Sequence, residues 1–409
     1  MSSYVGRLVR ALGAFAMVTL VAGCSSVLHP NAVAGEVDVR TLDIDADSST
    51  RPPTLPSYLG IRGYAQLEAA RLADAVLSPY EVEPKYFWGA AASAQVTPES
   101  VTQYLADPVV KVLYDNGFVV GFSTGAADSV TPLTKAVYGT HDHEGIRVTV
   151  LRFPDAASAR SAAQQTDAVD MALNPQNTPV KLPKYADAFA HWRPTVPTLG
   201  STLAHGVFVV NILADARTTD LTRLTEMTQQ YLAAELPVLD KFVPTPAEKI
   251  PTLQQDPDHI LVRTLHEGAA ASPPDGGSEI VYTLRAYLNY VQDQGTRYPV
   301  MRRAGIDRVA VAPAAYVFRA RDSAAAVQFV ADSAHLGDAD ARRDVDPPEG
   351  VPNTMCVENY TAPAAARFRC FVAYRRYAAL VLGQQLWQTQ QRAASQYALL
   401  ANAQATLPN

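Results

Sequence analysis

Three cysteines, one histidine-rich tetrapeptide and one serine flanked by glycines are the residues here whose types and spacing could carry chemistry. Cys24 closes the run Leu20-Val21-Ala22-Gly23-Cys24 and is followed by Ser25 and Ser26. Small residues before a cysteine suit cleavage by a signal peptidase, after which the thiol of the new first residue is the group to be acylated. Arg7 and Arg10 precede an apolar run through Phe15, Met17 and Leu20, and no acidic residue occurs before Glu36. That run is about a dozen residues, short of the roughly 20 needed to cross a bilayer. Residues 1–23 are therefore expected to be a removed leader, with Cys24 the lipidation site. More than one acyl chain gives stable anchoring, since each buried CH₂ contributes about 0.8 kcal/mol.

With Cys24 assigned to lipid, Cys356 and Cys370 remain as a pair outside the cytoplasm. The alternation Phe368, Cys370, Val372, Tyr374 places Cys370 on one face of a strand, and residues 354–360 could be its antiparallel neighbour. A bridge there would close a loop of about 15 residues and stabilise by roughly 3 kcal/mol. Two free thiols or a redox pair are the alternatives.

Gly121-Phe122-Ser123-Thr124-Gly125 matches the letters of a hydrolase nucleophile elbow. Such an elbow needs a strand, a sharp turn and a helix. Residues 118–122 supply the strand, but the turn-rich 126–132 does not read as a helix. A serine hydrolase using Ser123 with a histidine such as His205 is kept as the alternative function. His141-Asp142-His143-Glu144 has metal-like content, yet no third ligand at a zinc-type spacing follows it. Between two alternating segments and before Gly145, it reads instead as the solvated tip of a hairpin. No phosphate-cradling loop occurs, and neither a metal nor a cofactor is expected. Tyr80, Tyr86, Phe87 and Trp88, and again Tyr282, Tyr287, Tyr290 and Tyr298, suit core packing or a binding face.

The elements that must position these groups follow from periodicity and caps. Residues 25–57 are rich in Ser, Pro and Asp, so 24–57 reads as a lipidated, mobile or extended tether. A first block, 58–242, shows helices over 64–77 and from Thr97-Pro98 to Tyr114, broken at Pro108. Strands follow at 118–122, 135–138 and 146–153. Asp155 then caps a helix to about Met171, strands occur at 189–192 and 207–213, and Thr219 caps a helix ending near Pro237. A proline-rich linker, 243–258, precedes a second block, 259–405. There helices are expected over 283–292, 298–304, 323–334 and 384–402, with strands at 306–311, 314–320, around both cysteines and at 378–382. Phe153-Pro154-Asp155-Ala156 matches Ala320-Arg321-Asp322-Ser323, and Gln230-Tyr231-Leu232 matches Gln396-Tyr397-Ala398, at nearly equal offsets. This points to duplication. Grouped strands favour an α+β class: two tandem related domains with mainly antiparallel sheets packed against helices.

The lipobox, the segment Val37-Asp38-Val39-Arg40-Thr41-Leu42-Asp43 and the helix over 64–84 resemble a group of uncharacterised actinobacterial lipoproteins. These carry a two-part domain of unknown function, and the resemblance covers nearly all of the mature chain. Members often have a Gly-Asn-Tyr-Pro-Thr type stretch after the Leu-Asp; here Ile44-Asp45-Ala46-Asp47 stands instead. The resemblance implies no known activity, so no catalytic residue is carried over.

Removal of Arg7 and Arg10 leaves 32 cationic against 40 acidic side chains. A net charge of about −8 repels phosphate backbones, which argues against nucleic acid as a partner. The expected protein is a non-catalytic component of the cell envelope, lipid-anchored at the extracytoplasmic face of the membrane. Its expected partners are the membrane and an envelope lipid, glycan or protein, bound between the domains or under the 80–88 loop.

Overall fold

The structure, a computed structural model, describes residues 37–46, 48–130, 142–266, 279–313 and 315–407. The leader, Cys24, His141 and the strand expected at 135–138 lie outside them. The described residues from 38 to 407 form one compact unit.

The first half opens with α1 (Gly60–Ala73) and the short α2 (Pro79–Val82), which Ser78 and Glu81 close with a reciprocal capping box. Then come β1 (Trp88–Gln95), a 3-10 turn at Pro98–Gln103, α3 (Val109–Asp115), β2 (Val120–Ala127) and β3 (Gly145–Arg152). Asp155 caps α4 (Ala156–Ala172) by accepting from Ser158 N, as the sequence indicates. A four-strand meander follows: β4 (Thr178–Pro179), β5 (Phe189–Trp192), β6 (Thr198–His205) and β7 (Phe208–Asp215). It leads to α5 (Leu221–Leu239). The cap of α5 is Asp220 and not Thr219, and the helix continues through Pro237 for two more residues.

The second half repeats the plan. It has β8 (Ile280–Thr283), α6 (Leu284–Leu288), α7 (Gln294–Arg303), β9 (Arg308–Val311) and β10 (Ala315–Arg319). Asp322 caps α8 (Ser323–Ala334), accepting from Ala325 N as Asp155 does from Ser158 N. Then β11 (Arg342–Val345), β12 (Thr354–Asn359), β13 (Phe368–Tyr374) and β14 (Tyr377–Gly383) lead to α9 (Leu386–Thr406). Among the described residues each half holds one antiparallel seven-stranded sheet. The first runs β1-β2-β3-β7-β6-β5-β4 and the second, read from the same end, β8-β9-β10-β14-β13-β12-β11. Identical order, with a helix at each matching crossover, is the signature of a duplicated unit. The fold is α+β, as expected.

Two expectations need correction. The helix expected over 283–292 loses only its first residue, Thr283, to β8, which pairs along β9 and ends in the cap of the helix. It continues only as the five-residue α6. The tether is not wholly detached: residues 38–46 and 48–50 run along α9. Leu42 is buried, Asp45 N donates to Ser395 Oγ (3.0 Å), Gln391 Nε2 to Asp43 (3.0 Å) and Asn402 Nδ2 to the Thr50 carbonyl (2.7 Å). These contacts, spaced along one helix face, offset the ordering entropy that composition alone assigns to the segment.

Cys356 and Cys370 stand directly opposite on β12 and β13, Cα atoms 4.1 Å apart, and form a disulfide. Reduction is expected to lower unfolding free energy by about 3 kcal/mol. A urea titration with and without reductant checks this; superimposable curves would contradict it.

Candidate functional site

The two halves meet through a shared core. Ile280, Tyr282 and Ala286 of the second half belong to the same buried cluster as Leu72, Phe122 and Tyr231 of the first. Tyr290 packs edge-on against Phe122, ring centres 5.7 Å apart, and against Tyr282 at 5.1 Å. The tyrosine groups singled out in the sequence are thus largely core. Polar contacts fix the angle between the halves. Asn289 Nδ2 donates to the carbonyls of Ala73 and Val76, and Ser78 Oγ to Gln294 Oε1 (2.6 Å). The edge of β1 pairs with the loop before α7 through Gly89 N to the Gln292 carbonyl and Gln294 N to the Phe87 carbonyl.

Beside this junction lies a groove of about 1030 Å³. Its apolar floor comes from Leu67 and Ala70 on α1, Val238 and Phe242 at the end of α5, and Val281 on β8. The linker residues 252–258 form one wall. Four cations, Arg71, Lys241, Arg285 and Arg308, line it with only two carboxylates, Asp74 and Asp258. Glu68 and Glu81, just behind the lining, bring the carboxylates to four and balance these charges. Arg71 bonds Glu68 (2.6 Å) and lies over the Phe242 ring, Arg285 bonds Glu81 (3.1 Å), and Arg308 bonds Asp258 (2.7 Å). Partial burial pulls the Asp258 carboxyl upward. Hydrogen bonds and charge from Arg308 and Arg319 outweigh it and hold Asp258 below the ordinary carboxylate range. Asp74 accepts from Thr283 Oγ1 across the junction. An apolar floor with a few oriented charges is the arrangement of a ligand or peptide groove.

From α5, Glu235 reaches into the core and is fully buried. It takes a hydrogen bond from Leu77 N (2.9 Å), while its Oε1 is buried and accepts none among the described residues. Burial, reinforced by Glu81, pushes its pKa up to about 8 against donation from Leu77 and Tyr231. A carboxyl raised in this way is protonated in the folded chain and ionised in the unfolded one. Stability is therefore complete below about pH 4.5 and is lost progressively up to about pH 8. Glu235→Gln should flatten that slope and raise stability near pH 8 by a few kcal/mol. Urea midpoints at pH 5 and 8 check it, and an unchanged slope in the variant would contradict it.

The sequence-selected chemistry is placed otherwise. Ser123 lies in the middle of β2, fully buried, accepting from Gln95 Nε2 (3.1 Å) and bonded to Thr149 Oγ1 (2.9 Å). The strand runs on to Ala127, so no elbow forms at Ser123. His205 is bonded to Asp240 (2.6 Å) at the end of β6. Of the tip before Gly145, His141 lies outside the described residues and Asp142 is exposed as expected, but the next two residues are held inward. His143 is buried, its Nδ1 2.8 Å from Asp142 and its Nε2 3.4 Å from Asp215. Glu144 is bound by Lys85 (2.5 Å), the Tyr86 hydroxyl (2.6 Å) and Arg223. Burial acts to raise the Glu144 pKa, but these three donors prevail and hold it at about 2. The cluster ties the start of β3 to the 83–87 loop and α5, a contact that nothing in its local sequence announces. Among the described residues no group of three or more His, Cys, Asp or Glu could hold a metal ion, and no helix is long and apolar enough to cross a membrane.

Comparison with known proteins gives one coherent finding. The extracellular domain of PknH from Mycobacterium tuberculosis aligns over 37% of this chain and 79% of its own, at 10% identity and a TM-score of 0.24. That likeness is too slight to carry an argument. No curated protein matches the chain. Family models do match: the N-terminal domain of unknown function DUF7373 over residues 61–255 and its C-terminal counterpart over 260–403. Together they cover most of the sequence and correspond to the two duplicated halves, and the chain belongs to the DUF7373 family.

Proposed function

We propose that this protein is a lipoprotein of an actinobacterial type, anchored through Cys24 at the extracytoplasmic face of the membrane. There it acts as a non-catalytic binding component of the envelope. The observation that carries the reading is the order of parts at the amino end: Arg7 and Arg10, a short apolar run, then Leu20-Val21-Ala22-Gly23-Cys24. The Cys356–Cys370 disulfide supports it, because such bonds persist in oxidising compartments. The groove between the halves, with its apolar floor and ion-paired lining, is the surface assigned to an envelope lipid, glycan or protein. Ser123 hydrolysis, the earlier alternative, has no observation in its favour: the hydroxyl is enclosed in a strand.

Mass spectrometry of protein purified natively from membranes tests the reading. The expected amino-terminal peptide begins at Cys24 and carries the mass of acyl chains. A peptide that retains residues before Cys24, or one with an unmodified thiol, would refute the anchor.

A further inference from the structure

The duplication allows each half to serve as the control for the other. Arg152 and Arg319 end matching strands three residues before the caps Asp155 and Asp322. They pair with Phe208 and Tyr377 respectively, which fixes the correspondence strand by strand. On the face toward α4, Ser123, Thr149, Asn211 and Thr202 stand opposite one another across β2, β3, β7 and β6. All four are buried; Ser123 bonds Thr149, and Asn211 Nδ2 donates to Thr202 Oγ1 (2.9 Å). The matching row under α8 is Val311, Tyr316, Leu380 and Phe371. The scaffold thus folds with an apolar row at this place. A polar one forgoes about 1.5–3 kcal/mol of burial for each large side chain replaced, so the fold alone does not explain it. Departures of this kind concentrate at functional sites.

The neighbouring row opens to solvent. Arg147, Leu213, Gly200 and His191 lie side by side across β3, β7, β6 and β5. Gly200 corresponds to Arg369, which pairs with Leu382 as Gly200 pairs with Leu213. A Cβ on Gly200 would come within 3.1 Å of the His191 ring. Where the second half fills this position with a long side chain, the first leaves a cleft of about 560 Å³. Its lining carries Arg147, Arg193, Asp170, Asn211, Thr198, Asn174 and Asn177. Asn174 Oδ1 already accepts from Gln176 N and Asn177 Nδ2 donates to the Asp170 and Met171 carbonyls, which leaves the Asn174 amide N–H and the Asn177 oxygen for a ligand. Arg147 is oriented by donating to the Tyr104 carbonyl (2.7 Å).

The array mixes roles. Guanidinium N–H groups only donate, whereas amides and a threonine hydroxyl both donate and accept. A simple anion only accepts and would leave the amide oxygens unmatched. Hydroxyl groups on a ring satisfy both kinds of partner at once. We propose that this cleft, at a place where the second half carries Arg369 instead of glycine, binds a neutral saccharide unit. It is separate from the groove between the halves and stands or falls independently of it.

The test uses the full chain in a detergent without a sugar headgroup. Cellotriose, mannotriose and chitotriose are titrated by calorimetry and by saturation-transfer NMR. At least one should bind at millimolar concentration or below. Gly200→Arg, which gives the first half the side chain of the second, should remove binding, and Thr198→Val should weaken it about tenfold with an unchanged melting temperature. The isosteric Thr198→Val carries the test if Gly200→Arg fails to fold. Absence of binding by all three probes overturns the proposal, as does binding unaffected by Thr198→Val or surviving Gly200→Arg. Displacement of the sugar by sulfate or acetate at constant ionic strength also overturns it, marking an anion site instead.

Discussion

Glu68→Ala is expected to cost about 3–5 kcal/mol of unfolding free energy, the range for removing one partner of a buried ion pair. Glu68 is on α1 with no exposed surface. Its Oε1 takes Arg152 (2.6 Å) from the end of β3 and Thr245 N (2.9 Å) from the connection between the halves. Its Oε2 takes Arg71 (2.6 Å) and Thr245 Oγ1 (2.7 Å). One carboxylate therefore joins a helix, the end of a central strand and the connecting segment. With it gone, Arg152 remains nearly buried with its charge uncompensated, held only by the Thr245 carbonyl. Chemical denaturation measures the loss. Proteolysis should localise it, since the chain around residue 245 would be released from α1. A loss under about 1 kcal/mol would show that solvent reaches Arg152 and that the pair is of the weak surface kind.

Gly89→Ala should come next, at about 4 kcal/mol. Gly89 sits on β1 where the first sheet pairs with the loop before α7, and its N–H donates to the Gln292 carbonyl. A Cβ there would overlap the Gln294 amide and the Val291 carbonyl well inside contact distance. Overpacking of this sort costs about 1–3 kcal/mol. Displacing Gln294, whose amide bonds Ser78 and the Leu288 carbonyl, leaves buried polar groups unmatched for about 1–3 kcal/mol more. The damage falls on the junction of the halves, so the groove should lose definition with it. A melting curve indistinguishable from that of the natural chain would mean that the halves do not meet as described.

Much of the frame is legible in the sequence because its signals are local. Asp155 and Asp322 announce their helices through a side-chain bond three residues away, and the Asp-Ala-Ala and Asp-Ser-Ala runs give the duplication. The alternation around Cys370 places the disulfide. What escaped is what neighbours impose. Trp88-Gly89-Ala90-Ala91-Ala92-Ser93 holds no β-branched residue, and only pairing with β2 and the junction makes it a strand. His143 and Glu144 read as a polar tip because nothing nearby reveals that Arg223, on a helix almost eighty residues on, closes over them. Ser123 matched a motif by its letters, whereas its register opposite Thr149 explains its polarity better. The groove is assembled from α1, the end of α5, the connecting segment and β8, so no single stretch of sequence could display it.

The anchor bears most directly on where the molecule works. Cys24→Ser, expressed in the native host and fractionated beside the natural chain, isolates it. The natural chain is expected to sediment with membranes and to be released by detergent, while the serine variant is found in the soluble fraction or the medium. Equal recovery of both in the membrane fraction would contradict the anchor.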